Sequence, residues 1–182
     1  MFLLFLLIKN DFKINFVLKQ TNKKSLWLKQ VYKSLLFSTF ATLWITICTY
    51  FSGGLMTRYF INWGSKKSVF FDQVGITCSF IKISHVIILF FISSFIRILL
   101  ISIISIFIYW ITNKKTISWI FVATLGFAEI SIPIMYRIVS IDYIVWTSYL
   151  RISLGFLYGI SLIFISIWIG VIVGKRKEFY NE

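Results

Sequence analysis

Negative charge is scarce in this chain: six Asp and Glu stand against 19 Lys and Arg in 182 residues. Proline occurs once, at Pro133, histidine once, at His85, and cysteine twice, at Cys48 and Cys78. One His and two Cys are too few for a structural metal site, which normally needs four ligands. Cys48 lies in an apolar run and Cys78 in a polar connection, which argues against a disulfide between them. Cys78 and His85 lie seven apart, but no third group orients them for nucleophilic chemistry, so His85 reads as a solitary interfacial residue. HExxH, a Walker-type GxxxxGK[ST] and GxSxG are all missing, which leaves zinc proteolysis, nucleotide hydrolysis and a nucleophile elbow without apparatus. The expectation is a chain with no catalytic residues, no cofactor and no metal.

Charge of either sign is also thin. Only 14% of residues are charged, where a soluble domain carries about 25%. That is too little to coat a water-facing surface. What fills the chain instead is apolar: 59% hydrophobic and 20% aromatic residues, with a mean hydropathy of +0.88. The pattern predicts an all-α fold, a polytopic transmembrane helix bundle of about four spans at 34–56, 85–111, 117–138 and 152–174. Residues 1–33 form a basic amphipathic segment, cytoplasmic or interfacial, ahead of a transmembrane domain over 34–182. Met1 to Ile8 is apolar but shorter than the roughly 20 residues a span needs. In the first span Ser38, Thr42 and Thr46 recur every four residues and share one face, where small side chains let a neighbouring helix approach. Thr112 to Thr116 reads as a tight polar turn. A re-entrant stretch around Asp142 to Tyr149 would add a fifth element.

The positive charge sits in the gaps between these runs. Seven lysines precede the first: Lys9, Lys13, Lys19, Lys23, Lys24, Lys29 and Lys33. Such a block is attracted to anionic lipid head groups and keeps its end of the chain in the cytoplasm. Its position beside apolar runs argues against nucleic acid as the partner. With four spans, the side of the termini carries twelve Lys and Arg, and the opposite side six. The positive-inside rule then places both termini in the cytoplasm.

Two ionisable residues interrupt the apolar runs, where a charge costs several kcal/mol. Arg97 lies 17 residues before Lys114 in the turn and Glu129 lies 15 after it. On antiparallel helices they climb to similar depth, so an intramembrane Arg97–Glu129 ion pair is available. It reads either as a structural pair fixing the register of two spans or as a coupling pair for protons or substrate. Pro133 predicts a kink in the third span. The fourth span carries a helix-packing seam of Gly155, Gly159, Ser166, Gly170 and Gly174, including two GxxxG segments. Such a seam serves close contact within the bundle or dimerisation.

From the second span onward, a long apolar span, a short polar turn and then ISWIFVATLGFAEISIPI resembles the middle of the Yip family, membrane proteins named for interaction with Ypt/Rab GTPases. The resemblance covers about residues 86–174, with Gly126, Phe127, Ala128 and Pro133 at the matching positions. TNKK stands where that family has glycines, and four spans are read where five are usual. The resemblance implies a non-catalytic scaffold or accessory protein in trafficking or export. An Ile, Phe, Lys and Asn bias points to an AT-rich genome such as a low-GC bacterium's. There the role would be export or immunity at the plasma membrane, with a membrane-complex partner or a homo-oligomer. The alternative function is a transporter subunit using Arg97 and Glu129.

Overall fold

A computed structural model describes Leu4, Ile8 and residues 23–58, 66, 83–132, 134, 138 and 149–176. These form an all-α bundle of four helices: α1 (Lys23–Thr57), α2 (Ile83–Thr112), α3 (Lys115–Ser131) and α4 (Tyr149–Arg176). Three of them, α1, α2 and α4, are long and apolar enough to cross a membrane. At about 1.5 Å per residue, their 35, 30 and 28 residues exceed the roughly 30 Å hydrocarbon core.

The third predicted span does not run from 117 to 138 as one helix. α3 has 17 residues and stops at Ser131, with Ile132 extended at φ −126° and ψ 92°. The reason is local: the residue before a proline is pushed out of the α region, and Ile132 precedes Pro133. At about 25 Å, α3 is shorter than the hydrocarbon core. The kink assigned to Pro133 lies outside the described residues, as do most of the 57–84 connection and positions 142–148 of the re-entrant alternative. α1 runs unbroken through residue 33, where the sequence reading starts the transmembrane domain. Leu26, Trp27, Gln30, Ser34, Ser38 and Thr42 form one buried face across that point, so the end of the basic segment belongs to the bundle.

α2 is the centre. It packs against α1, α3 and α4, and α1 also packs against α4. The turn into α3 is tight. Asn113 adopts φ 55°, a left-handed conformation that Asn tolerates, and its N–H donates to Tyr109 O at 2.9 Å. The Thr112 hydroxyl donates to Ile108 O at 2.8 Å.

Three contacts fix the direction of α4. His85 meets Tyr149 with ring centroids 6.3 Å apart, Ile96 lies against Gly159, and Trp110 lies against Gly174. Positions rise together along both helices, so α2 and α4 run parallel. α1 is antiparallel to both, since Trp27 near its start packs on Phe107 and Trp110 near the end of α2. The start of α1, the end of α2 and the end of α4 therefore converge at one end of the bundle. Two parallel neighbours require the chain between them to travel back, and α3 makes much of that return.

Candidate functional site

Arg97 sits half-way along α2, one turn after the buried Ser93. Both reach the same acceptor. The Arg97 Nη2 donates to Ile138 O at 3.4 Å, and the Ser93 hydroxyl donates to the same oxygen at 3.2 Å. Ile138 itself is fully buried, packed with Ile96 and Leu100 and flanked by Phe156, Tyr158 and Leu162. A backbone carbonyl outside the helices is thus drawn into the bundle and satisfied by a cation and a hydroxyl. Non-helical backbone at membrane depth requires that kind of shielding by protein.

Glu129 lies on the last turns of α3, half-buried. The Ser118 hydroxyl donates to Ser105 O at 2.7 Å, which sets the antiparallel register of α2 and α3. Eight residues from that bond, Arg97 stands level with Gly126, and Glu129 stands level with Ser94. Arg97 and Glu129 are therefore about one helical turn apart in height. Glu129 is the sole acidic side chain among the described residues.

The glycine seam of α4 points inward. Gly155, Gly159, Gly170 and Gly174 are buried, and Ser166 is half-buried, its hydroxyl donating to Leu162 O. A methyl group at Gly159 would stand 2.6 Å from Ile96 Cγ2 and 2.9 Å from Ile138 Cγ2, closer than carbon atoms tolerate. At Gly170 it would run into the indole of Trp27, and at Gly174 it would touch Trp110 at 3.6 Å. The glycines are where α4 admits large side chains from α1 and α2.

Trp27 is the largest of these. It is buried, its Nε1–H donates to Ile167 O at 3.0 Å, and its ring centroid lies 5.1 Å from that of Trp110. Leu4, Ile8, Ile103 and Ile106 complete the cluster, so two side chains of the apolar N-terminal stretch reach the core. Along α1, Ser34, Ser38 and Thr42 are fully buried. Ser34 and Thr42 satisfy their hydroxyls on the carbonyls four residues earlier. The hydroxyls of Ser38 and Ser102 are buried without a hydrogen bond.

Sequence reasoning singled out Arg97 and the seam but not Ser93, Ile138 or Trp27. Ser93 was within reach, being four residues before Arg97 on the same helical face. Ile138 carried no signal, because its part is played by a carbonyl oxygen common to every residue. Trp27 stood among lysines and read as part of the basic amphipathic segment. Among the described residues no group of three His, Cys, Asp or Glu gathers to hold a metal. The chain matches no protein-family model, no curated protein and no solved structure.

Proposed function

We propose that this chain is a non-catalytic integral membrane protein that crosses the bilayer four times and serves as an accessory or scaffold in export, trafficking or immunity. The observation that carries the reading is the use made of Arg97. Its guanidinium donates to the carbonyl of a buried residue between α2 and α4, which suits a charge that holds chain in place. The fourth crossing rests on α3 and the residues after it. Parallel α2 and α4 need a return between them, and the Lys and Arg bias of the sequence supports a plasma-membrane topology with both termini in the cytoplasm. The resemblance of residues 86–174 to the Yip family supports a scaffold role, with a membrane-complex partner or a second copy.

Cysteine labelling tests this. In a Cys48→Ser, Cys78→Ser background, single cysteines at Val122, Leu125 and Ala128 are challenged with a membrane-impermeant maleimide. A packed accessory protein leaves Val122 and Leu125 unlabelled. Strong labelling of both, suppressed by a transported solute, would remove the accessory reading.

The second reading is a transporter subunit. It is favoured by the lone described carboxylate, Glu129, lying within a turn of Arg97 in height. Under this reading Glu129→Gln abolishes activity at normal membrane abundance.

A further inference from the structure

The outward face of α1 at the convergent end carries a shallow groove of about 420 Å³, lined by Lys24, Ser25, Leu28, Lys29 and Tyr32. The opposite face of the same turns is the buried one, with Leu26, Trp27 and Gln30 against the bundle. Helical spacing separates the two faces cleanly. We propose that this groove binds one anionic glycerophospholipid, its phosphodiester held between Lys24 and Lys29 and one acyl chain lying along α1. The proposal rests on the reading of the chain as an integral membrane protein.

Charge and shape both favour that occupant. Lys24 and Lys29 are exposed, and they share their end of the bundle with Lys114 and Lys115 at the start of α3. Ser25 and Tyr32 add hydroxyl donors beside the lysines, and a tyrosine ring suits the head-group level. Beyond the groove the same face of α1 turns apolar. Leu28, Leu35, Leu36 and Leu43 are all exposed, and spacings of seven between Leu28 and Leu35 and between Leu36 and Leu43 keep them on the side of the lysines. A soluble phosphate would use the cations alone. A phospholipid uses the cations and the leucine track together.

The full chain is reconstituted in nanodiscs of equal phosphatidylglycerol and phosphatidylcholine, and retained lipid is counted by native mass spectrometry. One phosphatidylglycerol per chain is expected, with phosphatidylcholine largely lost. Lys24→Gln with Lys29→Gln is expected to lower that retention about tenfold, while Lys114→Gln with Lys115→Gln keeps most of it. Equal retention of the two lipids, or equal loss in the two double variants, would reduce the groove to part of a diffuse basic surface and overturn the site. Displacement by millimolar glycerol phosphate would also overturn it, in favour of a soluble ligand. Carbonate extraction of cell membranes separates the two levels of failure. A chain that resists extraction but shows no lipid preference loses this inference alone, whereas an extractable chain loses the membrane reading beneath it.

Discussion

Gly159 and Gly170 lie on the same inward side of α4, and each leaves a gap that something large fills. At Gly170 the filler is the indole of Trp27, a side chain delivered by a neighbouring helix and bonded to Ile167 O. At Gly159 Ile96 of α2 shares the gap with Ile138, which arrives on non-helical backbone and brings its own carbonyl into the bundle. The first gap is closed by an aromatic cluster in which the Trp27 indole N–H bonds to Ile167 O. The second adds a peptide oxygen to be satisfied, and Ser93 and Arg97 are placed to do it. The same glycine device thus makes a rigid helix–helix joint at one level and an anchorage for irregular chain at another.

The largest test of that contrast is Trp27→Ala, which empties the gap over Gly170 and removes the bond to Ile167. A loss of about 3–5 kcal/mol is expected, seen as a fall in thermal midpoint in detergent micelles. Trp27→Phe keeps most of the volume and isolates the hydrogen bond, at about 1 kcal/mol. A negligible effect of the alanine variant would show that the aromatic joint contributes little.

Arg97→Met probes the anchorage. It removes a charged donor from a buried carbonyl that Ser93 alone must then satisfy, for a loss of about 1–3 kcal/mol. Limited proteolysis should show faster cleavage between α3 and α4 than in the parent chain. Unchanged cleavage would argue that Ile138 stays seated without the guanidinium. Gly159→Ala should cost a similar amount, about 1–3 kcal/mol of overpacking, and it should add little to Arg97→Met because both loosen the same residue.

The smallest effects mark the edges of the comparison. A methyl group at Gly126 or Gly53 would meet open space, so alanine there should stabilise the helix by up to about 1 kcal/mol. Ser102→Ala removes a buried hydroxyl that makes no hydrogen bond and should be neutral or slightly stabilising. Clear destabilisation by Ser102→Ala, read from the same melting curves, would reveal a partner for that hydroxyl, such as a buried water.

Much of this fold is legible in hydropathy and spacing. The four-residue recurrence of small hydroxyls on α1 and of glycines on α4 foreshadows which faces are buried. The early stop of α3 was legible too, since Ile132 precedes Pro133, but the apolar run carried the expected span past it. Hydropathy reports where a chain is comfortable and is silent about whether it stays helical. The capture of Ile138 had no sequence signature, because a peptide carbonyl looks the same at every position. Trp27 was obscured by context: neighbouring lysines gave its segment the composition of a cytoplasmic or interfacial stretch, while helical phase turned the indole away from them and into the core.

The parallel course of α2 and α4 has a consequence for the order of assembly. The residues that meet across this joint, His85 with Tyr149, Ile96 with Gly159 and Trp110 with Gly174, are separated by more than sixty positions of chain. During synthesis α1 and α2 can pair as soon as both have emerged, as an antiparallel hairpin. The cleft that receives α4 must wait, with its indoles and isoleucines facing lipid, until the last helix is inserted. The glycine seam is then the final piece to dock, and the interval before it does is when a half-built bundle is most open to capture by other membrane helices.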